Sequence, residues 1–178
     1  MAETEIHPDP MERLWSPWRL AYVTGTSGSQ QCIFCDALSR DDHEPLIVAR
    51  GQHTFVILNL YPYNSGHLMV VPKRHVGTLA SLALDEATEL MQLTQSAETA
   101  LNEVYQPQGI NVGINLGRPA GAGIVDHVHV HLVPRWTGDT NFMSVVGNVR
   151  VLPEEVQQSA ERLRPAFARM LADHTLRR

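Results

Sequence analysis

Strand-like and helix-like patterns of apolar residues alternate along this chain of 178 residues. Short β-branched and apolar runs fall at 46–50 (LIVAR), 53–61 (HTFVILNLY) and 67–72 (HLMVVP). Turn residues in RGQ and YPYNSG separate them, which predicts three strands joined by hairpin-length connections. At 84–105 the period changes. Ala87, Leu90, Met91, Ala97, Leu101 and Val104 recur at helical spacing, with Asp85 and Glu86 in the first turn, where the helix dipole favours acids. Strands return at 110–116 (INVGINL) and 126–134. A last helix is expected to start at Pro153, with Glu154 and Glu155 behind it, and to break or kink at Pro165. Strands, a long helix, strands and a helix make an α+β order with a mostly antiparallel sheet of about five strands.

Ahead of this pattern, residues 1–31 read as a leader and docking segment. Trp15, Trp18, Leu20 and Tyr22 are available to dock, and TGTSGSQQ (24–31) has the composition of a loop. The expected division is 1–31, a catalytic domain at 32–144, and a C-terminal helical extension at 145–178.

Composition narrows the function classes. At 43% hydrophobic and 19% charged residues the chain is globular. A net charge of -5 without a basic run argues against a nucleic-acid polymer as partner, although a local anion site built from placed groups remains open. No apolar run is long enough to span a bilayer, and MAETEIHPDPMERLW lacks an apolar signal core. Two cysteines are no disulfide framework, so a cytoplasmic location is expected.

The candidate chemistry lies in DHVHVHLVPRW, residues 126–136. Alternate side chains of a strand share a face, so His127, His129 and His131 project together while Val128, Val130 and Leu132 pack on the other side. Three of the 9 histidines within five positions is more than a solvated strand face accounts for. A metal cage and a catalytic nucleophile with helpers both remain. The loop before the strand carries Gly117, Gly121 and Gly123, and glycine lets backbone N–H groups approach a phosphate. A phosphate cradle beside imidazoles that are largely neutral at pH 7 suggests attack on phosphorus.

NLGRPAGAGIVDHVHVHLVPRW resembles the signature of the histidine-triad (HIT) superfamily, and FVILNLYPYNSGHLMVVPKRHV resembles the hairpin that precedes it, with Gly66–Pro72 as its Gly-His-apolar-apolar-x-Pro pattern. The likeness runs from about Cys32 to Asn141 and implies the HIT-like fold. ERLWSPWR, LNLYPYNSGH and PRWTGDTNF look most like the bacterial branch related to diadenosine tetraphosphate phosphorylase. The resemblance implies cleavage of adenine dinucleoside polyphosphates through a covalent nucleotidyl-histidine, with inorganic phosphate or water as acceptor and magnesium arriving with the substrate. It implies His129 as the nucleophile, with its other ring nitrogen donating to a backbone carbonyl. His131 would assist the leaving group, Asn59 would meet the ribose, and Asn115 with Gly121, Ala122 and Gly123 would hold phosphate oxygens. His67 would serve structure or substrate, Trp136 would close over the nucleotide, and two copies would pair as a homodimer. Many family hydrolases carry Gln or Ser where this chain has Ala122 and Gly123, which favours phosphorolysis or another acceptor over hydrolysis and leaves a nucleoside phosphoramidate hydrolase or a weakly active nucleotide-binding protein as the alternatives.

CIFC (32–35) taken alone fits a redox pair, half a metal knuckle or two free thiols. In one branch of the superfamily, and in related galactose-1-phosphate uridylyltransferases, a histidine in the place of His75 joins two cysteines and the first triad histidine. The resemblance therefore implies a closed structural zinc site of Cys32, Cys35, His75 and His127. His7, His43, His53 and His174 read as ordinary surface or strand residues, and the Trp15/Trp18/Tyr22 group as a packing or subunit contact.

Overall fold

A computed structural model of the protein describes residues 32–40, 44–140 and 152–176, with side chains as far as 172. The docking residues Trp15, Trp18, Leu20 and Tyr22, together with His7, His43 and the His174 side chain, lie outside the described residues.

The elements in chain order are α1 (Ile33–Ser39), β1 (Ile47–Arg50), β2 (Thr54–Leu58), β3 (Leu68–Pro72), α2 (Leu84–Tyr105), β4 (Gly109–Ile114), β5 (Val130–Arg135) and α3 (Val156–Leu176). The five strands form one sheet in the order β1-β2-β3-β5-β4, and every neighbouring pair is antiparallel. This is the α+β, antiparallel arrangement of five strands that the sequence pattern implied.

The two sheet faces are covered differently. One packs Val56, Leu58, Leu68, Val70, Val130 and Leu132 against Leu90, Leu93, Ala97 and Leu101 of α2 and Leu163, Ala166 and Phe167 of α3. The other presents Phe55, Ile57, Met69 and Val71 to Phe34 and Ala37 of α1. Met69 stands opposite His131 in the β3–β5 register, so the histidines share this second face.

Helix α2 runs over the predicted residues, but its buried side differs from the expected stripe. Leu90, Ala97 and Leu101 are buried, Ala87 and Met91 face outward, and Leu93 and Ala100 take their place against the sheet. Two stripes at helical spacing overlap in this segment, and the sheet selects one. Helix α3 starts at Val156, three residues after Pro153, and continues through Pro165. Burial of Ala160, Leu163, Ala166 and Phe167 on both sides of the proline holds the helix against the sheet despite one lost backbone bond. Strand β5 begins at Val130 rather than at 126. Continuing the register would set Val128 opposite Pro72, which has no N–H to extend the ladder. Val128 N–H donates instead to the Val76 carbonyl (2.7 Å), so His127 and His129 lie on an extended lead-in.

Two carboxylates of α2 tie the helix to the sheet. Glu89 accepts from the amides of Gln52 (2.7 Å), His53 (2.5 Å) and Thr54 (2.7 Å) and from the Thr54 hydroxyl (3.0 Å). A Cβ at Gly51 would sit 2.6 Å from Glu89 Oε1, so a larger residue there would displace the carboxylate from these amides. His53 is otherwise ordinary, with Nε2 3.5 Å from Asp85. Glu86 accepts the Ala83 amide (2.8 Å) at the helix start and two bonds from Arg74 (2.8 and 2.6 Å). Those bonds secure the residue before His75.

The Arg74 guanidinium, followed by the Ala83 amide, lowers the Glu86 carboxyl from 4.5 to about 2. A depressed folded-state value means that its stabilisation is present above pH 4.5 and is lost as pH falls toward 2. Glu86→Gln should therefore lower Tm at pH 7, and the gap to the parent protein should close between pH 4.5 and 2. Thermal melts of both proteins across that range check it.

Candidate active site

His129 is buried at 5% exposure, and its position is set by backbone. Its Nδ1–H donates to the His127 carbonyl at 2.8 Å. That bond fixes the tautomer and leaves the lone pair on Nε2. Burial lowers the His129 pKa, against the pull of the carbonyl bond, so the neutral, nucleophilic form prevails near pH 7. The Phe34 ring lies 4.9 Å from the His129 ring, tilted by 53°, and 5.3 Å from that of His127. A fully buried phenylalanine between two cysteines thus supports the candidate nucleophile. Sequence reasoning missed it, although an apolar residue inside CIFC on a helix was the available signal.

His131 stands beside His129 with ring centroids 4.7 Å apart and an interplanar angle of 72°. Its protonation follows from a chain of bonds. Tyr63 N–H donates to His67 Nδ1 (3.1 Å), so the proton of neutral His67 is on Nε2. His67 Nε2–H then donates to His131 Nδ1 (2.9 Å), which puts the proton of neutral His131 on Nε2. Adjacent imidazoles are therefore set in opposite states: His129 offers a lone pair from Nε2, and His131 offers a proton from Nε2. His67 itself is fully buried, and the Tyr63 ring lies tilted against His67 (4.9 Å between centroids) and stacks on His131 (6.4 Å).

His127 is also fully buried, and its Nε2–H donates to the Pro72 carbonyl (2.8 Å). That bond aims Nδ1 at the cysteines: 3.2 Å to Cys32 Sγ and 3.7 Å to Cys35 Sγ, while His75 Nδ1 is 3.4 Å from Cys35 Sγ. Donor atoms of Cys32, Cys35, His75 and His127 all lie within 4.8 Å of one another. A tetrahedral ion ~2.0–2.3 Å from each donor would hold neighbouring donors roughly 3.3–3.8 Å apart, so this group has the size for one. Burial pushes the Cys35 thiol up, and Cys32 beside it adds to the rise. Without a cation Cys35 stays a neutral thiol, whereas a bound cation would favour the thiolate. CIFC does open a helix, with Cys32 at the N-cap of α1, yet both thiols are free and turned toward imidazoles. A carbonyl bonded to the second nitrogen of His127 is the usual outer support of a ligating histidine.

The remaining candidates surround this centre to different degrees. Asn59 Oδ1 accepts the Tyr61 amide (3.0 Å) in a turn at the end of β2. Asn115 Nδ2 reaches the Gly121 carbonyl at 3.5 Å, closing the glycine loop. Gly117 (φ 81°) and Gly121 (φ 91°) adopt left-handed backbone there. The amides of Gly121 and Ala122 donate to the Arg118 (2.9 Å) and Gly117 (3.2 Å) carbonyls, so both are engaged within the loop. Gly123 is exposed. Trp136 meets the Tyr105 ring edge-on at 6.4 Å. A hollow of about 610 Å³ lined by Leu60, Pro62 and residues 152–158 contains no triad histidine. The candidate chemistry lies instead on the histidine face.

Comparison with known proteins bears on the family and the fold. The HIT domain family matches residues 41–138, a span that begins after both cysteines. A Mycobacterium tuberculosis (H37Rv) protein named AP-4-A phosphorylase is 42% identical over 169 residues, covering 90% of this chain and 87% of that one. A bis(5'-adenosyl)-triphosphatase of Dictyostelium discoideum is 32% identical over 120 residues, covering 64% and 80% respectively. Among solved structures, a Zn-bound histidine triad family protein from Mycobacterium smegmatis superposes with a TM-score of 0.65 at 29% identity, covering 82% of this chain and 99% of that one.

The two tautomers are open to measurement. Long-range ¹H–¹⁵N correlation spectra near pH 7 should show His129 protonated at Nδ1 and His131 protonated at Nε2. The same protonated nitrogen in both rings would contradict the opposed arrangement.

Proposed function

The chain belongs to the HIT domain family, and from that premise we propose that it cleaves adenine dinucleoside polyphosphates through an adenylyl-histidine intermediate. The observation that carries this reading is the opposed pair of tautomers, a lone pair at His129 Nε2 next to a proton at His131 Nε2. His129 Nε2 attacks the α-phosphorus. A nitrogen–phosphorus bond forms while the bridging phosphorus–oxygen bond breaks. The His131 Nε2 proton passes to the departing polyphosphate oxygen. Inorganic phosphate or water then attacks the adenylyl group and restores His129, giving ADP or AMP respectively.

The names of the relatives, AP-4-A phosphorylase and bis(5'-adenosyl)-triphosphatase, support the substrate class. Ala122 and Gly123 bring no side-chain donor to the loop, which favours phosphate as acceptor. Within this reading Asn59 meets the ribose and His67 sets His131. Asn115 and the loop Gly121–Gly123 hold phosphate oxygens, with Gly123 best placed because the other two amides already donate inside the loop. Trp136 closes the edge of the nucleotide site, and magnesium arrives with the polyphosphate.

The finer calls on metal, assembly and location form part of the same proposal. Cys32, Cys35, His75 and His127 would hold a structural zinc. Four protein donors leave it no open position for water, so its contribution is to bind α1 to the lead-in of β5. A homodimer is supported by β4: its residues are mostly exposed, and among the described residues its outer edge has no strand partner. No helix among the described residues is long and apolar enough to cross a membrane. A site that needs two reduced thiols suits the cytoplasm.

Two measurements check the proposal. His129→Ala should abolish turnover of diadenosine tetraphosphate, by at least about 10³-fold, while nucleotide still binds; the parent protein should make ADP only when phosphate is supplied. Retained turnover in the variant would exclude the covalent route, and AMP formed equally with and without phosphate would exclude phosphorolysis. For the metal, elemental analysis should find one zinc per chain, and Cys35→Ser should lose it together with several degrees of Tm. A metal-free parent of unchanged stability would remove zinc from the account.

A further inference from the structure

The histidine that faces His131 is held from the opposite side of the sheet. Gly66 (φ 75°) precedes His67, and a Cβ at Gly66 would lie 2.8 Å from Tyr105 Cε2, 3.1 Å from Cδ2 and 3.2 Å from Cζ. The Tyr105 ring, on the last residue of α2, thus lies directly against the Gly66 backbone. Beyond Gly66, His67 projects onto the histidine face and reaches His131 Nδ1 at 2.9 Å.

The tyrosine is itself fixed by the C-terminal segment. Its hydroxyl donates to Glu154 Oε1, which also accepts from Ser159 Oγ at 2.7 Å. Arg162 lies over the ring, with Cζ 4.5 Å from the centroid. Its guanidinium binds Glu154 Oε2 at 2.7 Å and the Val104 carbonyl at 2.9 Å. Trp136 closes one edge of the ring. A half-buried glutamate, an arginine, a serine hydroxyl and two aromatic rings thus converge beneath a single glycine.

We infer that Tyr105 is a positioning residue for the His67–His131 pair: its ring sets the Gly66 backbone, and Glu154 and Arg162 hold the ring. The C-terminal helix then contributes to leaving-group protonation without touching substrate. This inference rests on the proposed function for its kinetic consequence but not for its structural one. A ring that merely filled the core would be replaceable by any apolar side chain of similar volume, whereas a ring that sets Gly66 has to be planar and held at its edge.

The test uses the full chain with Tyr105→Phe, Tyr105→Ala and Tyr105→Leu, the last refilling the core if the alanine variant does not fold. Imidazole ¹⁵N shifts of His67 and His131 are read without substrate. Turnover is read on diadenosine tetraphosphate and on the p-nitrophenyl ester of AMP, whose phenolate departs without needing a proton. Tyr105→Ala or Tyr105→Leu should move both imidazole shifts. Each should lower kcat on the tetraphosphate about tenfold with KM within about twofold, and leave the nitrophenyl ester within about twofold of parent. Tyr105→Phe keeps the ring but loses the Glu154 bond, so it should move both imidazole shifts and lower kcat on the tetraphosphate by less than Tyr105→Ala or Tyr105→Leu does. Unmoved imidazole shifts, or equal losses on both substrates, would overturn the inference. If the parent cleaves neither substrate, the proposed function fails, and the imidazole shifts alone still decide the role of Tyr105.

Discussion

The rest of the site depends on one hydrogen bond, from His129 Nδ1–H to the carbonyl of His127 two residues earlier. An imidazole can attack phosphorus only through a nitrogen that carries a lone pair, and a free histidine divides its proton between two nitrogens. The carbonyl removes that ambiguity. It can do so because the backbone at His127 is itself immobilised: the His127 ring is bonded to Pro72 on one side and faces two cysteines on the other, and the following amide is bonded to Val76. The candidate nucleophile is aimed by backbone, and that backbone is held in turn by the His127 side chain.

Two further supports act on the same small region. From the N-terminal side, α1 brings Cys32, Cys35 and Phe34 together, so the residues that complete the metal group also place an aromatic wall against His129. From the hairpin side, Tyr63 and His67 orient His131. Burial adds an electrostatic effect, since a desolvated imidazole resists taking a second proton and stays nucleophilic. Three histidines at alternate positions thereby acquire three different bonding environments, although all begin from the same residue type on one face.

Much of this was legible before any coordinates. Strict alternation from Val128 to Leu132 identified the strand and its two faces, and helical spacing with acids at the first turn located α2 from Leu84 to Tyr105. Resemblance supplied the four-residue metal group, which the fold gathers within a few ångströms. Other features were not legible, for reasons that are physical. Periodicity reports a face but not where a ladder stops, and β5 stops short because its partner there is Pro72. Helical spacing left two stripes open on α2, and the sheet chose Leu93 over Met91. Proline at 165 predicted a break or kink, and the helix runs on through it with buried residues on both sides. Contacts such as Glu89 with the β1–β2 turn, or Tyr105 with Gly66, join residues far apart in sequence and leave no local pattern to read.

The central claim is that His129 bonds covalently to phosphorus. Intact-mass spectrometry of the denatured protein, quenched within seconds of mixing with diadenosine tetraphosphate in phosphate-free buffer, tests it most directly. The account predicts an acid-labile adduct of one adenylyl group that maps to His129 and disappears when phosphate is added. Product formed while the protein mass never changes, or an adduct on any other residue, would contradict it.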